Sequence, residues 1–214
     1  MIRGLYAITP DTKDQDALAS RVAQVLEGGA AVLQYRGKST EAALRRRQAE
    51  RLAQLCRRYG VLFIVNDDID LAAEVRADGV HLGRHDAAIS VARARLGASA
   101  LIGASCYDDL TLADAAVGAG ADYLAFGSFF PSSGKTGAVR PSLEVLRQAR
   151  RRWSLPLVAI GGITADNARQ VIEAGADAVA VITAVFSAPD PCNAARALAR
   201  LFDSKVRANL SATL

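Results

Sequence analysis

The chain of 214 residues is 51% hydrophobic and 22% charged, enough to bury one full core, and closed α/β barrels of this length run undivided. Its net charge of +4 and pI near 9.2 are modest. The basic clusters Arg45, Arg46, Arg47, Arg51 and Arg150, Arg151, Arg152 sit in helical runs and are expected to be solvated faces, the alternative being a nucleic-acid surface. Cys56, Cys106 and Cys192 are too few and scattered for a disulfide framework or a zinc site, which points to a reducing compartment.

In chain order, short apolar runs alternate with longer segments of helical spacing, the pattern of βα units around a parallel sheet. The opening run "MIRGLYAITPD" is too short for a signal-peptide core, and no stretch reaches membrane-spanning length, so the expected location is the cytoplasm. Strands are predicted at 4–9, 31–36, 61–66, 78–83, 101–105, 122–127, 156–162 and 177–183, each followed by a helix. Eight such units close a barrel, so the predicted fold is a single-domain α/β (β/α)8 TIM barrel over 1–203, with a doubly wound sheet as the structural rival. The segment 204–214, small and polar, is expected to be a flexible C-terminal tail.

A second period supports closure. The phrases "EGGAAVLQY", "VRADGVHL", "GAGADYLAF" and "EAGADAVAV" recur about every 45 to 55 residues and fall at every second strand. In each, a helix ends and runs straight into a buried strand; Gly28, Gly120 and Gly175 are placed to be the left-handed residues that stop those helices.

In this fold the chemistry sits at the C-terminal ends of the strands. There the second strand offers Gln34, Arg36 and Lys38, the third Asn66 and Asp67, and the fourth His81 followed by Asp86; the fifth ends at Ser105 and the sixth runs into Ser128, Ser132, Ser133 and Lys135. An arginine that can fork onto phosphate oxygens, two lysines and two carboxylates suit a polyphosphate with Mg2+, with Asp67 and Asp86 as the metal pair and Asp68 left as a helix cap. After strands seven and eight, Gly161 and Gly162 admit a phosphate close to the backbone, and the amides around Ile182 and Thr183 face the same place. Two anionic sites are therefore expected, with the loop "FGSFFPSSGKTGA" between them. Its Gly-Lys-Thr is not a P-loop, because Phe129 stands where the first glycine of that motif belongs. His81 and His85, the only histidines, are expected to pack or cap, as is Trp153.

The motifs "LYAIT", "LQYRGK", "VNDDIDLAAEVRADGVHLG", "IGAS", "FGSFFPSSGK", "VAIGGI" and "AVAVITAVF" resemble those of the thiamine-phosphate synthase family in order and spacing, from Leu5 to about Phe202. The resemblance implies a transferase that joins 4-amino-5-hydroxymethyl-2-methylpyrimidine diphosphate to 4-methyl-5-(2-phosphoethyl)thiazole, by a dissociative displacement with magnesium. It also implies roles. Gln34 and Asn66 would contact the pyrimidine, Arg36 and Lys38 its diphosphate, and Ser105 and Lys135 the departing pyrophosphate, with Asp67 and Asp86 on the metal. Ser132, Gly162, Ile182 and Thr183 would surround the thiazole phosphate. The chain departs from the family pattern at Gly37, Arg84, His85 and Gly134, the last standing where a threonine usually precedes the lysine.

The alternatives are a thiazole tautomerase of the same superfamily, which is expected to carry a histidine where this chain reads "GASCYDD", and a non-catalytic phosphate-ligand sensor. The expected partners are small-molecule substrates, with no nucleic acid and no membrane; a homo-oligomer is compatible with the sequence.

Overall fold

The computed structural model describes residues 1–38, 41–131 and 141–211, with side chains described through Asp203. Eight parallel strands follow the chain around a closed barrel: β1 (Gly4–Ile8), β2 (Ala30–Tyr35), β3 (Leu62–Asn66), β4 (Gly79–Leu82), β5 (Leu101–Tyr107), β6 (Tyr123–Gly127), β7 (Leu157–Ile160) and β8 (Ala178–Val181). The pairing of β1 with β8, Leu5 opposite Val179, closes the ring and excludes the open doubly wound sheet. Around it lie α1 (Gln15–Glu27), α2 (Ala42–Tyr59), α3 (Ile69–Glu74), α4 (Ile89–Leu96), α5 (Leu110–Gly118), α6 (Glu144–Arg152), α7 (Ala168–Glu173), α8 (Thr183–Phe186) and α9 (Pro191–Ser211).

Strand alternation divides the core in two. Leu5, Ala7, Leu33, Phe63, Val65, Leu124 and Phe126 point outward into the layer shared with the helices. Tyr6, Ile8, Val32, Ile64, Tyr123, Val158 and Ala180 fill the barrel interior. Residues of the same parity nearer the strand ends, such as Gln34, Asn66, His81 and Ser105, are therefore brought to the mouth of the barrel.

The repeated phrases have a structural purpose at the opposite end. Asp78, Asp122 and Asp177, each just before an even strand, accept the backbone N–H of Phe63 (2.7 Å), Ile102 (2.7 Å) and Leu157 (2.9 Å) at the start of the preceding odd strand. Arg93 also donates to Asp122, and Arg150 to Asp177. These carboxylates satisfy strand-end donors that have no ladder partner, each worth about 1–3 kcal/mol if lost. The first phrase carries Ala31 at the matching place and lacks this contact.

Gly120 and Gly175 adopt the left-handed conformation at φ of 91° and 120°, as the helix-stop reading requires, but Gly28 does not. The residue with φ of 98° is Gly29, and Gly28 continues the helical backbone at φ of −70°. Gly28 is needed for space: a Cβ there would lie 2.4 Å from the Cys192 carbonyl oxygen, where α9 crosses. Asp68 caps α3 by accepting from the Leu71 amide at 2.9 Å, and Trp153 ends α6 against the core. The arginine clusters are largely ion-paired: Arg45 with Asp68, Arg46 with Glu50 and Glu74, Arg51 with Asp16, Arg151 with Glu144 and Arg152 with Asp114. Among the described residues, no helix is long and apolar enough to cross a membrane.

Candidate active site

The site is assembled from consecutive strand ends. Thr9, fully buried after β1, accepts from the Arg36 amide at 2.9 Å and donates to the Arg36 carbonyl at 3.3 Å, which pins the backbone after β2. Arg36 reaches Asp11 at 3.1 Å across that junction. Lys38 places Nζ 2.8 Å from Asp67 Oδ2, so the cationic loop after β2 meets the acidic end of β3.

Asp67 has φ of 63°, a left-handed conformation that aspartate and asparagine tolerate better than most residues. Its amide donates to the His81 carbonyl at 2.9 Å, tying the end of β3 to β4. Asp86 Oδ2 accepts from the Gly83 amide at 2.6 Å and shares a hydrogen bond with Asp67. Burial, then that shared hydrogen bond, raises the Asp67 carboxyl above its ordinary value, and the Lys38 ammonium only partly offsets them. For Asp86 burial is outweighed by the hydrogen bond with Asp67, the Gly83 amide and the Lys38 charge, which leave its carboxyl below the ordinary value. Two acids and one lysine thus meet at this corner of the mouth, and their coupling pushes the two carboxyls in opposite directions.

The interior side of the mouth is polar and closed. Gln34, buried, donates from Nε2 to Asn66 Oδ1 at 2.6 Å and accepts from the Tyr6 hydroxyl at 2.8 Å. Ser105 Oγ lies 2.9 Å from His81 Nε2. Burial lowers the His81 imidazole to about 4, so it is neutral near pH 7. His81 therefore packs as expected and also contacts a predicted site residue. Its ring stacks on Tyr123 with centroids 5.6 Å apart.

Beyond Ser128, the Phe129 and Phe130 amides donate to the carbonyls of Ile160 and Gly161, at 3.2 and 3.0 Å, so the segment leaving β6 lies flat on the end of β7. That contact requires glycine: a Cβ on Gly162 would sit 2.3 Å from the Pro131 carbonyl oxygen, and one on Gly161 1.9 Å from Ser128 Oγ. Ile182 caps α8 and Thr183 begins it, beside the end of β7 because Ile160 pairs with Ala180. Ser132, Ser133, Gly134 and Lys135 lie outside the described residues. A groove of about 360 Å³ opens beside Lys38, Asn66 and Asp67, flanked by Arg45.

The sequence reading did not include Tyr6 and Tyr123, which link Gln34 to His81 through their hydroxyls, 2.9 Å apart. Their signal was parity: each shares the inward-facing register of Gln34 and Ser105, and a tyrosine inside a narrow barrel needs a partner for its hydroxyl.

A closed (β/α)8 barrel that gathers cations, paired carboxylates and buried amides at its strand ends has the layout of a barrel enzyme with its site at the mouth. The chain belongs to the thiamine monophosphate synthase family, whose model matches residues 5–185. A thiamine-phosphate synthase of Thiobacillus denitrificans is 55% identical over 199 residues, which cover 93% of this chain and 94% of the relative. One of Aromatoleum aromaticum is 52% identical over 203 residues, covering 95% and 98%. Among solved structures, a thiamine phosphate pyrophosphorylase from Pyrococcus furiosus superposes with a TM-score of 0.83 at 39% identity, over 94% of this chain and 96% of that one. The family places the chain among the transferases.

Proposed function

We propose that the barrel mouth condenses 4-amino-5-hydroxymethyl-2-methylpyrimidine diphosphate with 4-methyl-5-(2-phosphoethyl)thiazole, giving thiamine phosphate and pyrophosphate, in the cytoplasm. The observation that carries this reading is the junction of Lys38, Asp67 and Asp86 with the buried Gln34–Asn66 pair, in a chain of this family. The amides supply donors and acceptors suited to a pyrimidine edge, and the neighbouring charges suit a diphosphate and its metal.

Asp67 and Asp86 fit a hard divalent cation: two carboxyls side by side at the strand ends are the oxygen donors such an ion takes. Magnesium bound there would neutralise charge on the leaving diphosphate. Arg36 and Lys38 hold the same oxygens, and Ser105 with Lys135 would donate to them as charge builds. The C–O bond between the pyrimidinylmethyl carbon and the diphosphate breaks with its electron pair leaving on oxygen. The thiazole nitrogen lone pair then forms the new C–N bond, and no proton moves. A site built of charges and fixed donors suffices for that chemistry, and no protein nucleophile is required. Ser132, Gly162, Ile182 and Thr183 are assigned to the thiazole phosphate.

The tautomerase reading finds no support at the end of β5. Cys106 is buried with its thiol pushed up to about 12 by that burial, and the Tyr107 ring is covered by the Arg84 guanidinium at 5.3 Å. The reaction type is tested with a pyrimidine diphosphate carrying an electron-withdrawing ring substituent. Coupling should slow by roughly a hundred-fold or more, about 3 kcal/mol of lost cation stabilisation, with little change in binding. Equal rates for the two substrates would exclude the dissociative path, and isomerisation of a thiazole carboxylate phosphate without coupling would favour the tautomerase.

A further inference from the structure

An unbroken line of side-chain hydrogen bonds crosses the barrel interior between the two halves of the candidate site. Asn66 and Gln34 meet at 2.6 Å, Gln34 and Tyr6 at 2.8 Å, and the Tyr6 and Tyr123 hydroxyls at 2.9 Å. The Tyr123 hydroxyl then lies 3.2 Å from His81 Nδ1, and His81 Nε2 lies 2.9 Å from Ser105 Oγ. Tyr6 and Tyr123 are 1% and 0% exposed and His81 8%, so water is a poor substitute for any of these partners.

Each hydroxyl carries one proton and a neutral imidazole carries one N–H. With a hydrogen bond kept at every contact, the line can therefore run in one sense or in its reverse. In the first, the Gln34 carbonyl accepts from Tyr6, as in this structure. Tyr6, having given its proton, must accept from Tyr123, and Tyr123 must accept from His81 Nδ1–H. His81 Nε2 is then bare and takes the Ser105 proton, turning it away from any ligand. In the reverse sense the Gln34 and Asn66 amides turn over, and Gln34 donates to Tyr6. The protons then point from Tyr6 to Tyr123 and from Tyr123 to His81 Nδ1. His81 Nε2–H donates to Ser105, whose own proton is free for an oxygen in the site. Apart from the exchange of oxygen and nitrogen in the two amides, the heavy atoms keep their places in both.

We propose that Tyr6, Tyr123 and His81 are positioning residues that couple the amide orientation at Gln34 and Asn66 to the hydroxyl orientation at Ser105 through the tautomer of His81. The Ser105 assignment rests on the synthase reading; the coupling itself does not. An anionic oxygen at Ser105 draws its proton outward and selects the Nε2–H tautomer, which sets Gln34 to present its carbonyl toward Asn66. The pyrimidine subsite and the leaving-group subsite are thereby linked across the barrel without movement of the backbone.

The test is 15N NMR of histidine-labelled protein, in which His85→Asn leaves His81 as the single signal. Without ligand, His81 should show the Nδ1-protonated pattern; magnesium pyrophosphate should convert it to the Nε2-protonated one. Gln34→Glu, an acceptor at both oxygens, should hold the Nδ1–H form even with pyrophosphate present. Adding Tyr123→Phe, which keeps the ring and cuts the line, should release that hold. Tyr123→Phe alone should lower kcat about ten-fold, the size of one lost hydrogen bond, with KM for the pyrimidine diphosphate little changed. A His81 pattern indifferent to pyrophosphate, or a Gln34→Glu effect that survives Tyr123→Phe, would overturn the coupling. Absence of thiamine phosphate formation together with the expected NMR pattern would instead count against the synthase reading alone.

Discussion

Replacing Asp67 with asparagine is expected to lower kcat/KM by roughly a hundred-fold or more while the chain stays folded. The left-handed backbone at this position, φ of 63°, is one asparagine adopts readily, whereas alanine would add strain of its own. The substitution therefore removes a charge and little else. It leaves Lys38 without the carboxylate 2.8 Å from its Nζ, and puts a neutral amide in place of the carboxyl beside Asp86. Both effects weaken the pair proposed to receive a divalent ion, so the magnesium concentration needed for half-maximal rate should rise. Steady-state rates across a magnesium titration, with circular dichroism as the control for folding, check this. Near-normal turnover at every magnesium concentration would remove Asp67 from the site.

Gly103→Ala should be strongly damaging in the barrel interior. A Cβ at Gly103 would lie 2.0 Å from Cζ of Tyr123 and 2.4 Å from its hydroxyl oxygen. Tyr123 has nowhere to go: it is fully buried, stacked on His81 and hydrogen-bonded to Tyr6. Overpacking of this kind costs about 3 kcal/mol or more, which lowers the thermal midpoint of a chain this size by roughly 6 to 12 °C. The cause is checked by a double-mutant cycle. In a Tyr123→Ala background the ring is gone and Gly103→Ala should cost little; an equal loss in both backgrounds would place the strain elsewhere.

All eight strands were legible because a barrel strand is buried on both faces and so appears as a short continuous apolar run. The recurring phrases marked the even strands, yet the work of Asp78, Asp122 and Asp177 was not legible. Each binds an amide on the strand before it, and that contact exists only once the ring is closed. Gly28 and Gly29 show a similar limit: which of two adjacent glycines turns left-handed is decided by the passage of α9 over Gly28.

At the site, the charged residues were visible because the fold rule directs attention to strand ends, and Lys38, Asp67 and Asp86 do come together. The interior line was hidden because Tyr6 and Tyr123 lie within apolar runs and look like core. His81 looked like a packing residue and is one, with a partner in Ser105 that sequence spacing could not reveal.

The measurement that bears most directly on the account is product formation from the two purified substrates, followed for both pyrophosphate and thiamine phosphate, with magnesium and with a chelator. Equal amounts of the two products with magnesium, and neither with the chelator, is the predicted result. Binding of the thiazole phosphate with no thiamine phosphate formed, at any magnesium concentration, would contradict it.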